Sequence, residues 1–270
     1  MPVDAAGLAA EVLACLDGAR QVEPFTARLP DLSKADAYRV TAELRRLRSA
    51  RGERPAGRKI GFTNRGIWAE YGVYEPIWGD MYDTTVADVA PGATFKVSHL
   101  SEPRIEPEIV FGTAEDLVPG LSIEELLERI DWVAHGFEIV QSIFPSWRFA
   151  VADCIAGGGL HGRLAVGPRI ELDRSLRREM FAALPVLSIA LSRNGEVVDR
   201  GVGANVLDGP PQALGHLVEV LAGDADNPPV KAGEMVTTGT LTRAFPVFAG
   251  ERWSTEIDGL PLAGLDVTLA

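Results

Sequence analysis

Apolar residues recur at helical spacing through the first fifty positions and then change their pattern. Between residues 4 and 19, Leu8, Val12, Cys15 and Leu16 share one side of a 3.6-residue period, which predicts an amphipathic helix ended at Asp17-Gly18. Ser33 is a good N-cap with Asp36 in the first turn behind it. The helix it opens puts Ala37, Val40, Leu44 and Leu47 on one stripe, and Arg39, Arg45, Arg46 and Arg48 on a face expected to be solvated. From Arg58 onward Gly, Pro, aromatic and β-branched residues take over, so a soft boundary falls near residues 51 to 57. Residues 59–63, 86–89 and 105–111 read as strands. Ser122 and Glu125 form a capping box for a short helix carrying Leu126, Leu127 and Ile130, and a strand containing Glu138 follows.

Beyond Gly167 the pattern is β except for one helix, which follows Asp208-Gly209-Pro210-Pro211 and buries Leu214, Leu217, Val218 and Leu221. Asn194-Gly195 is a two-residue hairpin turn, and strands are expected at 235–238, 253–257 and 265–268, with Asp258-Gly259 as the tight turn between the last two. The sum is an α+β chain: a helical region over residues 1–57 and a larger mixed β domain over 58–270.

Composition narrows the partners. The chain has 270 residues, 46% of them hydrophobic, and a formal net charge of -12 with no offsetting basic stripe, which disfavours nucleic acid. Cys15 and Cys154 stand far apart, so neither a disulfide scaffold nor a thiolate metal site is expected. No basic segment precedes an apolar core at the amino terminus, and no run is long enough to span a bilayer, so a cytoplasmic location is expected with no membrane partner.

The chemistry lies in Arg104-Ile105-Glu106-Pro107-Glu108-Ile109-Val110-Phe111 and Gly136-Phe137-Glu138-Ile139-Val140, apolar strands carrying carboxylates. On a strand, Glu106 and Glu108 project from one face and Pro107 from the other. Buried carboxylates are costly unless paired, protonated or metal-bound, and three hard oxygen ligands suit Mg²⁺ or Mn²⁺. The alternative is two solvated edge-strand glutamates and a salt-bridged third.

Gly57-Arg58-Lys59-Ile60-Gly61, Arg104-Ile105-Glu106-Pro107-Glu108, His135-Gly136-Phe137-Glu138-Ile139-Val140 and Thr238-Gly239-Thr240-Leu241-Thr242 occur in this order. Together they resemble the hydratase and decarboxylase branch of the fumarylacetoacetate hydrolase superfamily, from about residue 30 to the C-terminus. The resemblance implies a mixed β-roll core and Mg²⁺ or Mn²⁺ held by Glu106, Glu108 and Glu138. It also implies a 2-oxo or 2-hydroxy-dienoate acid as substrate and a homo-oligomer. It makes Lys59 a proton shuttle or water-orienting group, the alternative being a structural counter-charge. Asp80 falls where some hydratases of this branch have an acidic residue, and as a turn residue it would be structural.

The loop Thr238-Gly239-Thr240 could present N-H groups to a substrate carboxylate, or could merely connect strands. Arg65 and Arg104 are candidate carboxylate clamps, with Glu106 or Glu102 as alternative partners for Arg104. His161, in a glycine-rich loop, reads as incidental rather than as a general acid. Residues 64–78 pack four aromatics beside Lys59, as a substrate wall, a lid or a subunit contact. Hydration of a 2-hydroxy-2,4-dienoate is the leading reading. Decarboxylation of a vinylogous 2-oxo diacid is the alternative, followed by acylpyruvate C-C hydrolysis and a non-catalytic, metal-stabilised protein. No histidine precedes His99, which argues against the hydrolase, since its relatives often use an N-terminal His-Glu pair.

Overall fold

A computed structural model describes residues 3–71, 73–224 and 226–270. Its helices are α1 (Ala5–Gly18), α2 (Phe25–Arg28), α3 (Lys34–Ala50), α4 (Trp68–Tyr71), α5 (Ile123–Glu128), α6 (Val151–Ala156), α7 (Arg174–Ala183) and α8 (Pro210–Ala222). The strands are β1 (Pro55–Gly61), β2 (Ile77–Tyr82), β3 (Val86–Asp88), β4 (Ala93–Phe95), β5 (Arg104–Thr113), β6 (Ile130–Val140) and β7 (His161–Val166). They continue as β8 (Ile170–Glu171), β9 (Ser188–Arg193), β10 (Glu196–Val202), β11 (Met235–Thr237), β12 (Phe245–Pro246), β13 (Arg252–Asp258) and β14 (Asp266–Leu269).

The caps expected at Ser33 and Ser122 form: α3 begins with a reciprocal pair in which Ser33 Oγ accepts from the Asp36 N-H and Asp36 accepts from the Ser33 N-H. Asp4 adds a cap the sequence reading did not name, accepting from the Gly7 N-H to start α1. Ser122 and Glu125 repeat that pair at α5.

One mixed sheet runs β2-β1-β11-β5-β6-β7-β3, with β12 on β5 and β8 on β6; a second runs β10-β9-β13-β14-β4. Parallel pairing of β1 with β11 and of β4 with β14 ties early strands to late ones. Gly57, at φ 149°, makes the first of these possible: a Cβ there would lie 1.8 Å from the Met235 carbonyl oxygen. Phe95, Ile105, Phe137, Ile139, Leu191, Trp253 and Val267 fill the space between the sheets. Elsewhere on the large sheet α5, α7 and α8 bury Leu126, Met180, Phe181, Leu214 and Leu217. The N-terminal helices share a core with the segment after β6, where Val12, Phe25, Val40 and Leu44 pack with Phe144 and Ile155.

Four expectations are corrected. Helix α7 lies in the stretch read as strand, started by Asp173, which accepts from the N-H groups of Ser175 and Leu176. Ile130 opens β6 rather than closing α5. Residues 259–265 separate β13 from β14, so Asp258-Gly259 is not a two-residue hairpin turn. The basic face of α3 is divided: Arg48 is buried against Glu53 at 2.6 Å, and Arg45 reaches Asp80 and Asn227. Arg39 and Arg46 stay at the surface with Asp36 and Glu43.

His135 on β6 joins the two sheets. Its Nδ1 lies 2.9 Å from the Glu108 carbonyl oxygen, to which it donates, and its Nε2 lies 2.9 Å from Thr255 Oγ1 on β13. Burial pushes its pKa down to about 4. The unfolded chain takes up a proton near pH 6.5 that the folded chain refuses, so this stabilisation is complete above pH 6.5 and is lost as pH falls toward 4. The span corresponds to about 3 kcal/mol. Urea melts should therefore show a loss of stability between pH 7 and pH 5 that is smaller in His135→Gln; equal losses in both proteins would exclude the histidine as the cause.

Candidate active site

Strands β5 and β6 pair with Glu106 opposite Glu138 and Glu108 opposite Gly136, so three carboxylates meet on one face. One oxygen from each lies within 4.8 Å of the others. Glu108 and Glu138 are fully buried and Glu106 is half-buried, which excludes the solvated-edge alternative. Pro107 is tolerated mid-strand because the other edge of β5 is shared, β12 pairing at residues 104–105 and β11 at 110–112. The chain at 238–241 bridges the gap, with the Thr238 and Leu241 N-H groups donating to the carbonyls of Ile109 and Pro107.

Gly239 completes the floor. At φ 97° it turns its N-H to donate to Glu108 Oε2 at 2.7 Å, and a Cβ there would meet Thr63 Oγ1 at 2.0 Å. Lys59, projecting from β1 and buried, places Nζ 3.3 Å from Glu138 Oε2. His161 Nδ1 donates to Glu138 Oε1 at 2.8 Å.

Burial opposes charge on every group here, and the neighbours decide the outcome. Burial and the Glu138 charge push Glu106 up to about 7 against the pull of Lys59. Burial, Glu138 and Glu106 push Glu108 well above the carboxylate range. Glu138 is held below it, because Lys59 and His161 outweigh burial. Lys59 is held above its ordinary value because Glu138, Glu106 and Glu108 outweigh burial, so it is an ammonium.

Fully ionised, the three carboxylates and one ammonium would sum to two negative charges, which one divalent cation would cancel while displacing the protons that burial favours on Glu106 and Glu108. Among the described residues Glu108 Oε1 and Glu138 Oε2 are buried without hydrogen-bond partners, and the cluster is all oxygen. The residues therefore fit a hard divalent ion such as Mg²⁺ or Mn²⁺.

The cluster opens on a cavity of about 530 Å³. Lys59, Glu106, Thr63, Asn205, Gly239 and Thr240 supply polar lining; Phe62, Val140, Trp147, Phe149 and Leu160 supply apolar walls; Arg104, Arg200 and Arg243 also border it. Arg243 is committed to Asp199 at 3.0 Å, whereas Arg104 lies over the Trp147 ring at 4.2 Å with no ion pair among the described residues.

The structure thus brings together Lys59, Glu106, Glu108, Glu138, Gly239 and Thr240. Thr238 is buried with its hydroxyl on the Ile109 carbonyl. Arg65 is exposed, paired with Asp208 and stacked over Trp68, and does not line the cavity. Asp80 sits on β2 in register with Arg58, while Gly79 is in register with Lys59, so Asp80 projects from the opposite face of the sheet. There it lies 3.0 Å from Arg58 and 2.9 Å from Arg45.

Residues 64–78 are not one loop. They hold α4 and the start of β2, with Trp78 buried and stacked on Tyr38 and Tyr74 exposed. Gly72 and the Tyr71 side chain lie outside the described residues. The aromatic lining comes instead from Phe62, Trp147 and Phe149. His161 was not legible as part of the site, since only the pairing of β6 with β7 brings it to Glu138.

No helix among the described residues is long and apolar enough to cross a membrane. Over 254 residues the chain is 32% identical to 2-hydroxyhexa-2,4-dienoate hydratase of Comamonas testosteroni, covering 94% of this chain and 93% of that one. It is 33% identical over 234 residues to 4-oxalocrotonate decarboxylase of Pseudomonas sp. (strain CF600), covering 86% and 84%. The solved 4-oxalocrotonate decarboxylase of Pseudomonas putida G7, complexed with magnesium and adipate, superposes with a TM-score of 0.90 at 28% identity, over 98% of this chain and 97% of that one. Residues 82–267 match the fumarylacetoacetate hydrolase C-terminal family model. That span holds β5 and β6 with their three glutamates, and the chain belongs to the fumarylacetoacetate hydrolase family.

Proposed function

We propose that the protein is a metal-dependent hydratase that adds water to a 2-hydroxy-2,4-dienoate. The observation carrying this reading is the ammonium of Lys59, 3.3 Å from Glu138 and facing a cavity with hydroxyl and amide groups on its walls. Glu106, Glu108 and Glu138 would hold the ion, which when bound supplies Lewis acidity at the substrate's carboxylate and 2-oxygen. Lys59, kept protonated by the carboxylates, delivers a proton to the terminal carbon of the dienol while the 2-hydroxyl gives up its own to become a ketone, and that released proton restores the ammonium. Water then adds at the carbon β to that unsaturated ketone, held by Thr63, Asn205 or Thr240, and a 4-hydroxy-2-oxo acid results. Substrate contact falls to Gly239, Thr240 and Arg104 rather than Arg65. Asp80 acts from behind the strand, by fixing Arg58, rather than on the substrate.

A second reading, decarboxylation of a 2-oxo diacid, is favoured by Arg104 and Arg200 on the cavity wall, where they could receive a second carboxylate. The test incubates the protein and Mg²⁺ with 2-hydroxypenta-2,4-dienoate and, separately, with 2-oxohex-3-enedioate. Ultraviolet decay of the monoacid to a 4-hydroxy-2-oxo acid without carbon dioxide is the expected result. Carbon dioxide release from the diacid with no hydration of the monoacid would replace it with the second reading, and no turnover of either would sink both. Buried, unpaired Cys15 and Cys154 support a reducing cytoplasmic setting. The homo-oligomer implied by the family resemblance remains part of this reading, and light scattering at monomer mass would rule it out.

A further inference from the structure

We infer that His161 is a positioning residue that fixes the third metal-binding carboxylate, an inference that rests on the proposed metal site. Along β6 and β7 the pairs Gly136-Val166, Phe137-Ala165, Glu138-Leu164 and Ile139-Arg163 follow a regular antiparallel ladder. The next pair is Val140 with His161, so Gly162 is an extra residue on β7. In an unbroken ladder position 161 would project away from Glu138, because side chains alternate between faces. The bulge reverses this and returns the imidazole to the carboxylate's face. Gly162 permits it, since a Cβ there would stand 2.5 Å from the Ile139 carbonyl oxygen.

The ring is then held at both nitrogens. Nδ1 lies 2.8 Å from Glu138 Oε1 and Nε2 lies 2.9 Å from Thr85 Oγ1. Thr85 is itself fixed, its Oγ1 accepting from the Tyr82 N-H at 3.1 Å, which leaves the hydroxyl proton for Nε2. A carboxylate only accepts, so the proton facing it belongs to Nδ1. Engaging Oε1 leaves Oε2 turned toward Lys59, whose Nζ lies 3.3 Å away. A ligand carboxylate anchored through one oxygen presents the other in a single orientation, and losing such a partner costs a metal site on the order of 10–100-fold in affinity.

The experiment titrates the full chain with Mn²⁺ and reads free ion by electron paramagnetic resonance, with melts in EDTA as the folding control. His161→Ala should weaken binding on the order of 10–100-fold. His161→Asn, whose amide nitrogen stands close to where Nδ1 does, should recover most of that loss. Unchanged affinity in His161→Ala, or a loss that Asn leaves unrepaired while both variants melt alike in EDTA, overturns the positioning role. Failure of the parent protein to bind Mn²⁺ would instead overturn the metal site itself, and this inference with it.

Discussion

Glu106→Gln should lose about three orders of magnitude in metal-dependent turnover and keep its fold. The loss matches the several kcal/mol of transition-state stabilisation a catalytic cation supplies. Because Glu106 and Glu138 face each other across the ladder, the amide also removes a like-charge pair. Burial and Glu138 push Glu106 up to about 7, so the folded protein without metal binds a proton that the unfolded chain releases near 4.5. That cost grows as pH rises from 4.5 through 7, and the amide does not incur it. In EDTA at neutral pH the variant should melt above the parent, and with Mg²⁺ the order should reverse. Parental turnover in the variant would remove Glu106 from the site.

Lys59→Met should reduce kcat by about 10²–10⁴-fold, the range for losing a positioned proton donor, yet bind Mn²⁺ at least as tightly as the parent. The site goes from two net negative charges to three, which favours the cation while removing the proton source. Without metal the same substitution leaves Glu138 buried and facing no ammonium, so the melting temperature in EDTA should fall and Mg²⁺ should restore it. Turnover within a few-fold of the parent would reduce Lys59 to a structural counter-charge.

The parts of this molecule legible in the chain are those set by local rules. Ser33 with Asp36 and Ser122 with Glu125 are reciprocal caps, and Glu106-Pro107-Glu108 needs only the two-residue period of a strand to put both carboxylates on one face. What escaped depends on partners distant in sequence. Arg45 and Arg48 occupy a helix face that reads as solvated, and only β2 and Glu53 give them buried acids. Asp80 reads as a turn residue or a substrate contact until the β1-β2 register assigns it to the Arg58 side. Helix α7 had a local signal in Asp173 and the spacing of Leu176 and Met180, masked by three arginines in its first five residues.

The parallel pairing of β1 with β11 bears on the order in which the protein can be made. Lys59, Glu106, Glu108 and Glu138 all leave the ribosome long before Met235–Thr237, the strand that separates β1 from β5 in the sheet, and before the Gly239 amide that accompanies it. Joining strands so remote in sequence carries a large closure entropy and makes assembly slow. A nascent chain therefore carries all three clustered glutamates without the element that seats Lys59 among them, and the cluster matures only as the last strands arrive.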